Sequence, residues 1–374
     1  MVKKFLRRFW PGLFAALIVC PAQTWTAELD NVEVKSFTSR DFKLENGQRL
    51  PVLTIAYETY GTLAPDGRNA VLITHGATGN FHAAGRYAAK DAAPGSWDAL
   101  IGPGKAIDTD RWFVVSSNNL GSSYGTTSPA SLNPATGTPY GPDFPDFSLV
   151  DVVNVQRTLL EHLGVQHLVA VAGPSYGGFA AFQWGVTYPD FMDGIVVAVS
   201  APRVTAAPDA VENLVKRLAT DPNWNGGWYY DRGGVMQVMT SIRMETLKRY
   251  GIDEQLKEKF PDVTAREAEI RRRSEVWAKQ FDANSLVVIR RASVRFDAEK
   301  DFPRMKAKLL YVLCTTDKLF PPSIAPAVME KLKAAGVDAE FFELKSELGH
   351  SASGLDAAKW APTLKAFMDR VAHE

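Results

Sequence analysis

The sequence predicts an α/β fold, a mostly parallel and doubly wound sheet with a helical cap inserted into it. Three observations carry that prediction. Short apolar bursts at 70–74, 112–117, 167–173, 194–200 and 308–314 alternate with helical patterns at 149–163 and 179–186. Strands that alternate with helices form parallel sheets covered on both faces. Ser175 stands in Gly173-Pro174-Ser175-Tyr176-Gly177, between one such burst and one such helix. From about 202 to 301 the bursts vanish and long charged helical patterns replace them, with tryptophans at 224, 228 and 277.

The elements follow in chain order. Residues 1–8 form a basic segment holding Lys3, Lys4, Arg7 and Arg8, and 13–19 form a short apolar core. Small residues follow at Ala22 and Ala27. This reads as a secretory signal over 1–27, too short to span a bilayer, with an uncleaved anchor as the alternative. Segments 32–37 and 51–60 read as outer strands, and 70–74 as the first core strand. The helix at 149–163 feeds the strand at 167–173. The first part of the core covers 28–201, the cap 202–301, and the second part of the core 302–374. The Gly- and Pro-rich stretch 121–145 is long for a plain connection and is expected to line the substrate entrance. Arg271, Arg272 and Arg273 read as a solvated helix face.

A strand, a sharp turn and a helix with serine at the apex lift a hydroxyl above the sheet, and flanking glycines let the strained turn pack closely. Gly121-Ser122-Ser123-Tyr124-Gly125 fits the same pattern, but loop residues Thr126-Thr127-Ser128-Pro129 follow it. Ser123 is therefore the second choice of nucleophile. In this arrangement an acid and then a histidine follow the serine. Asp317 follows the buried burst 308–314, and His350 follows the strand pattern 339–345. The chain has six histidines, and His350 and His373 alone come after Asp317. His350 is expected to take the serine proton, and Asp317 to fix its tautomer and stabilise the imidazolium. The expected oxyanion donors are the backbone N–H groups of Tyr176 and of Ala77, the latter in the turn His75-Gly76-Ala77-Thr78-Gly79. His75, ending a core strand, reads as structural.

Longer motifs carry a family resemblance. Ala56-Tyr57-Glu58-Thr59-Tyr60-Gly61-Thr62-Leu63 leads into Asn69 and the His75 turn. Gly141-Pro142-Asp143-Phe144-Pro145 precedes Asp151-Val152-Val153 and Gln156-Arg157. Phe182-Gln183-Trp184, Tyr188-Pro189-Asp190, Asp221-Pro222, Trp224, Gly226-Gly227 and Arg243-Met244 follow. From about Val34 to the C-terminus the chain resembles the homoserine O-acetyltransferase family. The resemblance implies an α/β-hydrolase core whose serine forms an acyl-enzyme, and it points to Ser175, Asp317 and His350 position by position. It also implies that Arg243 holds a substrate carboxylate, as a fork-shaped guanidinium can, and it permits a homodimer through the cap helices. The family pattern has an aspartate after the catalytic histidine, where it contacts the amino group of homoserine. Ser351 stands there in this chain, and a hydroxyl cannot supply the charge that pairs with an ammonium.

Composition sets the remaining bounds. Lys plus Arg and Asp plus Glu both number 42; removing 1–27 takes four basic residues and leaves 38 against 42, about −4. That balance argues against nucleic-acid binding. Of the two cysteines, Cys20 and Cys314, one remains after cleavage, so no intramolecular disulfide is expected. No cysteine–histidine spacing suggests a metal site, and the serine chemistry calls for no cofactor. The expected partner is a small ester or acyl substrate, with no membrane insertion once the signal is removed and a periplasmic or secreted location. An exported protein meets little acyl-CoA, so water becomes the default acceptor. An exported serine esterase is thus the first reading, with an O-acyltransferase of the homoserine O-acetyltransferase type as the alternative. A binding protein that kept the fold without the chemistry is the third.

Overall fold

The computed structural model describes residues 29–88, 90–91 and 93–372. The expected signal over 1–27 and His373 lie outside the described residues. Eight strands form one sheet in the order β1-β2-β6-β3-β7-β8-β9-β10. They are β1 (Lys35–Lys43), β2 (Arg49–Tyr60), β3 (Ala70–Ile73), β6 (Phe113–Ser117), β7 (Leu168–Pro174), β8 (Met192–Ala198), β9 (Lys308–Cys314) and β10 (Ala339–Leu344). Two short strands, β4 (Ile101–Gly102) and β5 (Ile107–Asp108), pair with each other beside it. From β6 to β10 every pairing is parallel. β2 runs antiparallel to both β1 and β6. Pairing with the long β2 carries β1 on to Lys43, past the stretch expected from its apolar pattern.

The inner parallel strands are buried on both faces, as strands joined by helical crossovers require. β9 shows the division: Leu309, Tyr311 and Leu313 enter one core, while Leu310, Val312 and Cys314 enter the other. The first core is closed by α1 (Leu149–His162), α2 (Tyr176–Thr187) and α8 (Ala325–Ala334). The second is closed by α10 (Ala361–Val371), which follows the short α9 (Ala352–Leu355), and by Trp97 and Trp360. Cys314 is a free, buried thiol. Ser148 caps α1 by accepting from the Val150 and Asp151 N–H groups, and the Asp151 carboxylate answers by accepting from the Ser148 N–H. Such a reciprocal cap satisfies donors the helix start would leave bare.

Between β8 and β9 lie five helices: α3 (Ala210–Leu218), α4 (Met236–Arg249), α5 (Ile252–Lys257), α6 (Val263–Ala278) and α7 (Ala283–Val294). α4 packs along α6, and α3 along α7. Trp224 and Trp277 are buried, while Trp228 is partly exposed. The N–H of Asp282, which caps α7, donates to the Ser123 hydroxyl at 2.9 Å, tying these helices to the loop after β6. Among the described residues no helix is long and apolar enough to cross a membrane.

β3 delivers His75 into the interior, where its Nδ1 lies 2.9 Å from the Gly76 carbonyl oxygen and its Nε2 accepts from the Asn119 N–H at 3.1 Å. Burial pushes the imidazole down to about 4. Because the folded value lies below the unfolded value near 6.5, the unfolded chain takes up the proton first as pH falls. Stability from this group is therefore complete above about pH 6.5 and is lost as pH falls towards 4, by about 3 kcal/mol in all. Urea unfolding of the wild type and His75→Gln at pH 7.5 and 4.5 measures it. The wild-type advantage shrinks at the lower pH; an advantage that does not change with pH contradicts the assignment.

Candidate active site

The C-terminal ends of the parallel strands gather the residues that the sequence singles out, as open α/β sheets generally do. β7 ends at Pro174, and α2 begins immediately at Tyr176. Ser175 between them has φ 56° and ψ −121°. A non-glycine residue there costs about 1–3 kcal/mol and persists when its surroundings over-determine it. Its N–H donates to Ala198 O at 3.0 Å, and its carbonyl accepts from the Ser200 hydroxyl at 2.7 Å. A methyl group on Gly177 would stand 2.3 Å from the Thr74 carbonyl oxygen, and one on Gly173 2.1 Å from the Thr74 hydroxyl. Only glycine permits so close an approach of the turn after β3. This is also why α2 starts three residues ahead of the apolar face that marks it in the sequence.

Asp317 and His350 come together from the ends of β9 and β10. His350 Nδ1 donates to Asp317 Oδ2 at 2.8 Å, and the two side chains are 5% and 0% exposed. The other carboxylate oxygen of Asp317 accepts from the Leu319 N–H at 2.8 Å. Thr316 laces the two loops, its hydroxyl donating to Ser346 O at 2.8 Å and accepting from the Gly349 N–H at 3.1 Å. With its Nδ1 proton on Asp317, the neutral ring presents Nε2 as an acceptor, and that nitrogen is buried with no partner. A buried basic nitrogen held by a carboxylate behind it can accept a proton from a hydroxyl and return it.

The turn after β3 lies beside the serine: a methyl on Gly76 would stand 3.8 Å from Ser175 Cβ. Ala77 is half-buried in this turn. Tyr176 is the first residue of α2, so its N–H has no partner within the helix, and the positive end of the helix dipole lies at Ser175. Arg243, on α4, donates from Nη1 to the Thr78 hydroxyl at 2.7 Å and lies over the Trp277 ring at 5.0 Å. Its Nε is enclosed without a partner, and burial lowers its pKa. A cavity of about 380 Å³ opens here, lined by Thr74, Gly76, Thr78, Tyr124, Arg243 and Trp277 among others. Among the described residues no aspartate or glutamate lines it. Ser175 and His350 are not in its lining, which reaches the elbow through Pro174 and Gly76.

Ser123 is 7% exposed, and its hydroxyl is taken by the Asp282 N–H. No group of three His, Cys, Asp or Glu residues among those described could hold a metal ion. Ser351 is half-buried, directly after His350. Two site neighbours carry no local sequence signal. Tyr250 lies with its ring 4.6 Å from His350, and Gln255 donates to Leu348 O at 3.0 Å. Both belong to the inserted segment, Tyr250 at the end of α4 and Gln255 on α5, about one hundred residues before His350 and Leu348.

Comparison with known proteins places this fold. A family model described as the alpha/beta hydrolase fold matches residues 69–356. The homoserine O-acetyltransferase of Solidesulfovibrio magneticus is 36% identical over 369 residues, covering 91% of this chain and 93% of its own length. The crystal structure of homoserine O-acetyltransferase from Bacillus anthracis superposes with a TM-score of 0.83 at 30% identity, covering 91% of this chain and 98% of that one. The crystal structure of esterase E22 also superposes at 0.83, with 31% identity, 90% of this chain and 100% of that one covered. The sheet order, the strained serine and the length of these matches agree: the chain belongs to the homoserine O-acetyltransferase family of α/β-hydrolase-fold enzymes.

Proposed function

We propose that this chain is an O-acyltransferase of the homoserine O-acetyltransferase type, moving an acyl group through Ser175 to a hydroxyl acceptor that bears a carboxylate. His350 Nε2 takes the Ser175 proton as the hydroxyl attacks the acyl carbonyl carbon. The tetrahedral oxyanion is held by the N–H groups of Tyr176 and Ala77, each such donor typically supplying roughly 3 kcal/mol. Collapse breaks the bond to the leaving group, which His350 protonates, and leaves an acyl-enzyme. His350 then deprotonates the acceptor hydroxyl as it attacks the acyl carbon, and collapse breaks the acyl bond to Ser175 Oγ, which takes the proton back from His350. Asp317 stabilises the imidazolium in both halves.

The observation that carries the acceptor class is Arg243. It is a desolvated guanidinium that hydrogen-bonds a neutral hydroxyl and lines the cavity beside the elbow. Leaving such a charge without an anion is costly, and a ligand carboxylate offers the matching fork. The likeness to homoserine O-acetyltransferases over nine-tenths of the chain supports transfer.

Hydrolysis is the second reading, and Ser351 favours it. With no acid at that position and none lining the cavity, an amino-acid acceptor loses the partner of its ammonium group, and water takes its place. The likeness to esterase E22 supports the same reading. Export directed by residues 1–27 would strengthen it by separating the enzyme from acyl-CoA.

Ser175→Ala abolishes turnover without lowering the melting temperature, since it removes a single hydroxyl; surviving activity would move the nucleophile elsewhere. Mass spectrometry of the products from p-nitrophenyl acetate, with and without hydroxy acids, homoserine and plain alcohols, separates the two readings. An acetylated hydroxy acid as main product supports transfer, whereas free acetate unchanged by any acceptor establishes hydrolysis. Under transfer, Arg243→Gln lowers the preference for carboxylate-bearing over plain alcohol acceptors by about tenfold or more. An unchanged preference would remove Arg243 from the acceptor site.

A further inference from the structure

Two different parts of the molecule hold the turn after β3. The core holds its near side. Thr74 donates from its N–H to Ala172 O at 2.9 Å and from its hydroxyl to Gly177 O at 2.8 Å. The Gly76 carbonyl oxygen accepts from the Gly79 N–H at 3.0 Å, and His75 Nδ1 lies 2.9 Å from it. None of these bonds reaches the far corner of the turn, Ala77 and Thr78. That corner is held from the cap: Arg243 Nη1 donates to the Thr78 hydroxyl at 2.7 Å, and Trp277 Nε1 donates to the Thr78 carbonyl at 3.0 Å.

The peptide unit between Gly76 and Ala77 carries the pinned carbonyl at one end and the expected oxyanion donor at the other. A trans peptide is planar, with C=O and N–H pointing in opposite directions. Fixing Gly76 O therefore sends the Ala77 N–H the other way. The corner as a whole can still swing unless the residue after Ala77 is also fixed, and Thr78 is that residue. Trp277 is itself buried and stacks on Phe281 at a ring separation of 4.7 Å, with the Arg243 guanidinium over its ring at 5.0 Å. The donors that reach Thr78 are thus anchored within the cap.

We propose that Thr78 is a positioning residue through which α4 and α6 aim the Ala77 N–H at the acyl oxyanion. The cap then builds part of the catalytic geometry as well as covering it. This rests on the acyl-enzyme reading above. Displacing a preorganised donor by a fraction of an ångström loses much of what deleting it would lose.

The test uses p-nitrophenyl acetate, which has no carboxylate for Arg243, and reads the pre-steady-state acylation of Ser175. Thr78→Val keeps the shape and removes the hydroxyl, while Trp277→Phe keeps a ring and removes the N–H. Each slows acylation about 10- to 100-fold with KM within about twofold of wild type. Each also weakens inhibition by a trifluoromethyl ketone, whose adduct bears the same oxyanion, by a similar factor. Thr78→Ser restores the rate. Thermal melts identify a variant that does not fold, in which case the other one decides. Wild-type acylation rates in both variants, or a Thr78→Ser as slow as Thr78→Val, overturn the proposal while leaving the acyl-enzyme intact. A wild-type protein whose Ser175 is never acylated overturns the acyl-enzyme reading, and this proposal with it.

Discussion

The close approach of two loops at the top of the sheet is the constraint on which the rest of the site depends. Ser175 is held at a positive φ by its bonds to Ala198 and Ser200. That strain is tolerable because Gly173 and Gly177 let the Thr74 backbone come within a distance no Cβ would allow. One contact region therefore sets both the height of the serine and the place of the turn that carries Ala77. β3 and β7 are neighbours in a parallel register, so this relation is built into the sheet rather than into flexible loops. Preorganisation of this kind is where most of the electrostatic benefit of such a site arises.

The inserted helices grip that region at several places. Tyr250 lies tilted against the His350 ring, Gln255 holds Leu348, Arg243 and Trp277 hold Thr78, and Asp282 holds Ser123. His350, the turn after β3 and the loop after β6 are each touched by a different helix or helix junction. Helices arranged this way fix groups that the core leaves only partly constrained. This arrangement also explains why Arg243 lies where it does. Its charge is brought into the interior by α4, where it meets the Thr78 hydroxyl and the Trp277 ring, and no acid lines the cavity in front of it among the described residues.

Much of this was legible in the chain itself. The apolar bursts located the five inner strands of the parallel sheet to within a few residues, because strands buried on both faces need nearly continuous apolar sequence. Ser175, Asp317 and His350 could be selected because a strand end and chain order each narrow the choice. The structure pairs the last two and sets the serine on the strained turn expected for it. The start of α2 was less legible, since Gly177 and Gly178 mask a helix whose first turn is dictated by packing against Thr74 and Ser200. Tyr250, Trp277 and Thr78 were illegible as site residues. Their relations to the site span 100 residues or more and depend on how α4 and α6 dock, which no local periodicity records.

The proposed mechanism requires that His350 activate Ser175 to form a covalent acyl-enzyme. It is tested most directly by mixing the purified protein with p-nitrophenyl acetate, quenching in acid within milliseconds, and mapping the adduct by peptide mass spectrometry. A 42 Da acetyl increment (about the mass of an acetyl group replacing a proton) on the peptide containing Ser175, absent when His350 is replaced by alanine, is the predicted result. An adduct on the peptide containing Ser123, or turnover with no covalent adduct on Ser175, would contradict it.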